Sequence, residues 1–163
     1  MTVASSTPSA STPSEPGLDG SRSPLSGAEA RLPGPADQVA ISQLLARYCL
    51  ALDLDDAEGW VALFTPDAVY HVYGRTFDGH AGLRRMATAA PGGLHLGGPP
   101  VIEILGADTA RTTRNLLFID RTDGVPRNAV YTDELVRTPD GWRIRSCRCQ
   151  FITADGLSDR PAR

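Results

Sequence analysis

The sequence predicts one α+β domain, with helices packed on one face of a curved, mostly antiparallel sheet. Apolar residues early in the chain recur at three- and four-residue spacing, which is typical of amphipathic helices. The second half consists of strand-like segments separated by turn signals. Helices gathered before consecutive antiparallel strands favour the α+β class over an alternating α/β arrangement.

The first helix is expected to begin near Pro35. Its apolar positions form one stripe, made of Ile41, Leu44, Leu45, Tyr48, Cys49 and Leu52. Asp53 continues the row of Leu45 and Cys49, so its carboxylate is predicted to extend the buried stripe. The alternative is a carboxylate at the end of the helix that meets solvent.

A short second helix is expected to follow, with Asp55 and Glu58 spaced as a capping box. Trp60, Leu63 and Phe64 would form its apolar face, and residues 65–67 (Thr-Pro-Asp) would end it. A strand is predicted at 68–73 and a short amphipathic helix after 77–80. After a glycine-rich loop around His95, the sequence predicts four strands in meander: 101–105, 109–119, 129–136 and 142–152.

The folded domain is expected to span residues 35–152 of the 163. Residues 1–34 contain eight Ser, three Thr, five Pro, four Gly and no aromatic residue. Such a segment cannot bury enough apolar surface to offset its ordering entropy, so it is predicted to be a disordered tail. Residues 153–163 are predicted to be a C-terminal tail.

Composition and charge narrow the function classes. The formal net charge of −3 argues against a nucleic-acid or anionic-membrane partner, which would need a basic face. No apolar run approaches the roughly 20 residues of a membrane span, and the start of the chain lacks a secretory signal, so a cytoplasmic protein is expected. Its cysteines, Cys49, Cys147 and Cys149, predict reduced thiols without a zinc site. No cofactor is expected.

Residues 47–70 (RYCLALDLDDAEGWVALFTPDAVY) and 140–144 (DGWRI) resemble the SnoaL-like, nuclear transport factor 2-like superfamily. The resemblance extends over about residues 36–152. It implies a cone-like barrel of a strongly curved sheet with N-terminal helices packed on it. It also implies a homodimer, because superfamily members commonly bury the open side of the sheet against a second copy.

The site pattern resembles that of scytalone dehydratase and hexachlorocyclohexane dehydrochlorinase, which use an Asp–His pair for proton removal in β-elimination. The resemblance places this pair at Asp53 and at His95, which opens the segment His-Leu-Gly-Gly. Tyr131-Thr132 resembles a Tyr-Thr pair of the dehydrochlorinase. Two positions depart from the dehydratase: Leu52 replaces a tyrosine, and Asp120 is the nearest match to a second histidine.

The chemistry of this residue pair fits general base catalysis. A neutral imidazole is the usual base near pH 7, and a carboxylate can orient it and stabilise its cation. His71 is interpreted as a pocket group or a satisfied core histidine, and Trp60 and Phe64 as pocket wall or core. The candidates for substrate contact are Tyr131, Tyr48, Trp60, Phe64, His71, Asp120 and Phe118.

The leading hypothesis is a cofactor-independent lyase, isomerase or cyclase acting on a small cyclic metabolite in natural-product biosynthesis. Two alternatives remain open at this point. One is a non-catalytic ligand-binding or assembly subunit of the same fold. The other is an epoxide hydrolase, which would hold a water molecule between carboxylates such as Asp53 and Asp120.

Overall fold

The structure is a computed structural model and describes residues 32–161. The predicted N-terminal tail lies outside this range except for residues 32–34. The helices are α1 (Pro35–Asp53), α2 (Ala57–Val61) and α3 (Gly79–Ala89). The strands are β1 (Phe64–Val72), β2 (Arg75–Asp78), β3 (Gly93–Gly97), β4 (Val101–Gly106), β5 (Thr109–Asp120), β6 (Pro126–Thr138), β7 (Gly141–Thr153) and β8 (Gly156–Ser158).

All eight strands join one sheet, in the order β2-β1-β7-β6-β5-β3. The short strands β4 and β8 pair with β5 and β7, respectively. Among the strands of residues 32–161, β1 and β7 run parallel and the other pairings are antiparallel. The α+β class and the cone-like sheet with helices packed on it are therefore confirmed.

Helix α1 closes the inner face of this sheet. Its buried residues are five of the six in the predicted stripe, Ile41, Leu44, Leu45, Tyr48 and Cys49, while the sixth, Leu52, is half-buried. They pack into one core with sheet residues such as Leu135, Ile144 and Cys147, each at most 1% exposed. The first turn of α1 is also tied to the sheet, because Asp37 accepts hydrogen bonds from Trp142 Nε1 at 3.1 Å and Arg137 Nη2 at 2.8 Å.

The connection after α1 differs from the prediction. Asp56, not Asp55, caps α2, and its Oδ1 accepts the Gly59 N–H at 2.8 Å. Asp55 instead adopts a left-handed conformation with φ 58°, which ends α1. Phe64 and residues 65–67 belong to β1 instead of the end of α2, since Phe64 pairs with Ile144 of β7.

Two predicted irregular segments are strands. The glycine-rich segment around His95 forms β3, which pairs antiparallel with β5 so that His95 lies opposite Phe118. Gly93 permits this close approach, since a Cβ there would lie 2.3 Å from the Ile119 carbonyl oxygen. Beyond Ile152, within the segment predicted to be a C-terminal tail, β8 pairs with the end of β7.

The described helices do not include one with the length and hydrophobicity needed to cross a membrane.

Candidate active site

The last residue of α1 meets the middle of β3. Asp53 Oδ1 accepts a hydrogen bond from His95 Nδ1 at 2.7 Å and a second from the His95 backbone N–H at 2.9 Å. The two side chains are 17% and 12% exposed, so the pair is largely shielded from water. Because a carboxylate only accepts, Nδ1 donates, and Nε2 of a neutral His95 is left as the proton acceptor.

A cavity of about 340 Å³ lies beside this pair, between α1, α3 and the inner face of the sheet. His95 lines it, so the imidazole forms part of the cavity wall. Most of the remaining wall is aromatic or aliphatic, with side chains such as Leu52, Met86, Leu116 and Phe151. Such a space suits a small, mainly apolar molecule that a few polar groups orient.

Three of the predicted contact residues line the cavity: Tyr48, Phe118 and Tyr131. The ring of Phe118 lies 4.8 Å from that of His95, centroid to centroid, and restricts its movement. The hydroxyls of Tyr48 and Tyr70 share a hydrogen bond of 2.9 Å. Burial raises the pKa of Tyr48 and of Tyr131 well above the ordinary value, so both phenols keep their protons even in mildly alkaline solution.

Three other predicted contact residues do not line the cavity. Trp60 and Phe64 belong to the core behind it, where Trp60 packs against Tyr48 and Tyr70 at 5.7 and 5.8 Å between ring centroids. His71 is neither a cavity group nor a core histidine. It lies half-buried on the hairpin of β1 and β2, and its Nδ1 is 3.0 Å from the Thr76 hydroxyl.

Asp120 also lies outside the cavity wall, at the end of β5. Its carboxylate accepts hydrogen bonds from the Thr122 N–H at 2.9 Å and Arg127 Nη1 at 3.1 Å. The pKa of Asp120 is lowered, mainly by the hydrogen bond from the Thr122 N–H and further by Arg127. An ionised carboxylate held in this way is not a proton donor near neutral pH. Nor does this arrangement favour a water held between Asp53 and Asp120.

A buried charge pair was not anticipated from the sequence. Arg114 on β5 forms an ion pair with Asp133 on β6, and both side chains are at most 2% exposed. The Arg114 guanidinium lies 5.1 Å from the ring centroids of both Tyr48 and Tyr131, and Thr112 Oγ1 donates to Asp133 at 2.9 Å. The strand alternation of Thr112, Arg114 and Leu116 was the available signal, because it places Arg114 on the inward face.

The sequence also did not single out Arg127 as a cavity residue. Its guanidinium lies 5.4 Å from the centroid of Phe118 and also pairs with Asp120. The thiol of Cys149 lines the same cavity, and burial raises its pKa to about 11, so it stays protonated. Among residues 32–161, no three His, Cys, Asp or Glu side chains are grouped so that they could hold a metal ion.

The SnoaL-like domain family matches residues 35–148 of the chain. No curated protein matches it by sequence. One similar solved structure is a protein of unknown function from Mycobacterium tuberculosis. It is 28% identical with a TM-score of 0.64, and the alignment covers 69% of this chain and 74% of that one.

Two further solved structures share the fold at lower identity. A hexachlorocyclohexane dehydrochlorinase from Novosphingobium barchaimii is 20% identical with a TM-score of 0.66. A provisionally named scytalone dehydratase from Novosphingobium aromaticivorans is 18% identical with the same TM-score. Each alignment covers 78% of this chain and 90% of the other.

Proposed function

The chain belongs to the SnoaL-like domain family, and on this premise we propose that it is a cofactor-independent lyase, isomerase or cyclase. His95 removes a proton from a small cyclic metabolite, and Asp53 orients the imidazole. The observation that carries the proposal is the pair of hydrogen bonds from His95 to Asp53 Oδ1 at the cavity wall. The dehydrochlorinase and the dehydratase are both named for elimination reactions, and this supports the proposal by fold-level analogy only.

In the proposed reaction, His95 Nε2 takes the proton from an acidic C–H of the bound substrate. The electron pair left on carbon is delocalised into an adjacent carbonyl or expels a leaving group. The negative charge of Asp53 stabilises the imidazolium that forms. Acid–base groups positioned in this way contribute about 10²- to 10⁴-fold in rate.

Tyrosine hydroxyls can stabilise the negative charge that develops on the substrate. The phenols of Tyr48 and Tyr131 are protonated, and burial keeps them so by raising their pKa further, so they can donate hydrogen bonds to a developing oxyanion. Arg114, whose charge is balanced by Asp133, lies behind both rings. The base and the donors thus act on different atoms of the substrate.

An open cavity would also suit a ligand-binding protein without catalytic activity. The Asp53–His95 pair favours catalysis, because binding alone would not need an imidazole with one nitrogen fixed by a carboxylate. The proposal includes a homodimer and a role in cytoplasmic natural-product biosynthesis. Exposed leucines on β3, Leu94 and Leu96 at 45% and 51%, support a second copy of the chain as a partner.

Proton abstraction can be tested before the natural substrate is identified. We would incubate the full chain with 2-tetralone, a cyclic ketone with acidic C–H bonds, in D₂O and follow deuterium incorporation by NMR. The wild type should accelerate exchange, whereas His95→Ala and Asp53→Asn should each lose about 10²-fold or more. The double variant should be no slower than His95→Ala, because the two residues act as one unit.

His71→Ala is the matched control, since this histidine lies away from the cavity and should leave the exchange rate unchanged. Equal exchange by wild type and His95→Ala would contradict the proposal. Absence of exchange by the wild type across a panel of cyclic ketones would favour the non-catalytic alternative.

A further inference from the structure

A second hollow lies next to the cavity, between β2, α3 and the end of the described chain. This groove has a volume of about 500 Å³ and is lined by residues that include Tyr73, Arg75, Phe77, Met86 and Arg160. Tyr73, Met86 and Ala90 line both the groove and the cavity, so the two spaces share one wall. A molecule with its ring in the cavity could therefore extend a substituent into the groove.

The described residues that line the groove carry positive charge. Within residues 32–161, its lining contains Arg75 and Arg160 and no aspartate or glutamate. Neither arginine forms an ion pair with any residue in the described range 32–161, whereas eight other arginines there do. Two guanidinium groups that share an acid-free groove are arranged to attract an anion.

The carboxylates of Asp78 and Asp159 are close to the groove in sequence but do not face its arginines. Arg75 and Phe77 of β2 both line the groove, while Thr76 between them bonds to His71 on the opposite face. Alternation along the strand places Asp78 on the face of Thr76, away from the groove. Asp159, which precedes Arg160, accepts hydrogen bonds from Arg148 at 2.9 Å and Gln150 at 3.2 Å instead.

The backbone next to the groove is held in an uncommon conformation. Tyr73 has a φ of 57°, which costs free energy for a residue with a side chain, and Gly74 follows with a φ of 67°. This turn places Tyr73 between the two spaces, where its ring stacks on Phe151 at 5.4 Å between centroids. A Cβ at Gly74 would lie 3.0 Å from Arg160 Nε, so Arg160 packs directly over the turn.

We propose that this groove binds a negatively charged group of the substrate, a carboxylate or a phosphate, through Arg75 and Arg160. The planar guanidinium forms paired, charge-assisted hydrogen bonds with both kinds of oxyanion. The inference rests on the proposed function for the position of the ring, which lies in the cavity beside His95. It narrows the substrate class to cyclic metabolites with an anionic substituent.

The test compares three naphthalene probes that differ only in the substituent: 2-naphthyl phosphate, 2-naphthoate and the neutral 2-naphthalenemethanol. Binding to the full chain is measured by isothermal titration calorimetry at low salt. The wild type should bind the two anions more tightly than the alcohol. The double variant R75Q/R160Q should lose about tenfold or more in affinity for the anions and nothing for the alcohol.

R47Q is the matched control, because Arg47 is exposed on α1, has no ion pair in the described range and lines neither space. It should bind all three probes as the wild type does. A larger loss for the phosphate than for the carboxylate would support a phosphorylated substrate, and an equal loss would support a carboxylate.

The proposal would be overturned by unchanged anion affinity in R75Q/R160Q, by an equal loss for the alcohol, or by anions that do not bind the wild type at millimolar concentration. His95→Ala separates this outcome from the fate of the proposed function. It should retain the preference for anionic probes even though it loses deuterium exchange.

Discussion

Asp53 Oδ1 accepts two hydrogen bonds from a single residue, the ring Nδ1 and the backbone N–H of His95, at 2.7 and 2.9 Å. One bond orients the imidazole, and the other fixes the strand that carries it. A neutral His95 must therefore hold its proton on Nδ1, although free imidazole side chains prefer to hold it on Nε2. The less common tautomer is thus a signature of this contact.

Asp53→Ala should shift neutral His95 towards the Nε2–H tautomer, because the acceptor for Nδ1 is lost. The ring ¹⁵N chemical shifts of wild type and variant, measured at a pH where the imidazole is neutral, would report this change. His71 and His80 serve as internal controls, and their tautomers should stay the same. An unchanged His95 spectrum would show that Asp53 does not set its tautomer in solution.

The tyrosines should resist ionisation in the folded protein. Burial raises the pKa of all four, Tyr48, Tyr70, Tyr73 and Tyr131. The native protein should therefore show little tyrosinate absorbance at 295 nm at pH 10, where about half of free phenols ionise. Guanidinium at the same pH should make the signal appear.

The raised tyrosine pKa values should also make the stability of the fold depend on alkaline pH. The unfolded chain loses phenolic protons from its ordinary pKa upwards while the native state keeps them, so the free energy of unfolding should fall as pH rises above 10. Stability that stays constant through this range would contradict the assigned burial.

Arg114→Met should destabilise the fold by about 3–5 kcal/mol, because Asp133 would remain buried with an uncompensated charge. Replacing both partners, as in Arg114→Met with Asp133→Leu, should cost less than the single substitution. Chemical denaturation of the three proteins measures the difference. A double variant less stable than Arg114→Met would mean that the pair is not coupled in this way.

Asp37 should make stability depend on acid pH. The hydrogen bond from Trp142, and then that from Arg137, lower the pKa of Asp37 below its ordinary value. Its contribution is thus present above the unfolded pKa and is lost as pH falls through the folded one. Asp37→Asn should lower Tm by a few degrees at pH 7, and the difference should shrink as pH falls below the ordinary carboxyl pKa.

Thermal melts over this pH range test the prediction. The control is Asp67→Asn, which changes an exposed carboxylate without a hydrogen-bond partner in the described range. A deficit for Asp37→Asn that is as large at pH 3 as at pH 7 would assign its effect to packing and not to charge.

Light scattering should give a mass of twice the 17.3 kDa chain at micromolar concentration, in line with the proposed homodimer. Leu94→Glu and Leu96→Glu together should shift the protein towards the monomer if β3 contributes to the contact. A monomer mass for the wild type would count against the dimer.

The types of the long helix and the long strands followed from local sequence patterns. The apolar spacing from Ile41 to Leu52 predicted α1, whose C-terminal residue is Asp53, and alternating β-formers predicted β5, β6 and β7. These elements are long, so one misread residue does not change their type. The resemblance to the superfamily, rather than periodicity, indicated the cone and the positions of Asp53 and His95.

Short-range signals failed where neighbours in space decide the conformation. The glycines around His95 suggested a loop, but at Gly93 the missing side chain lets β3 lie against Ile119 and Phe118 of β5. Asp55 and Asp56 are equally good caps by composition, and only the left-handed turn at Asp55 selects Asp56. The groove beside the cavity could not be predicted from the sequence either, because it brings Arg75 together with Arg160 from the other end of the domain.

The position of β3 at the outer end of the strand order affects its local stability. An outermost strand has ladder bonds on one side only, so it can detach in a local opening that costs less than global unfolding. His95 would leave with it, while the long central strands stay paired. In the proposed reaction, proton abstraction would then depend on the docking of five residues, Gly93–Gly97, as well as on the stability of the whole domain. The hydrogen bond from the His95 backbone N–H to Asp53 thus also helps to hold β3 in the sheet.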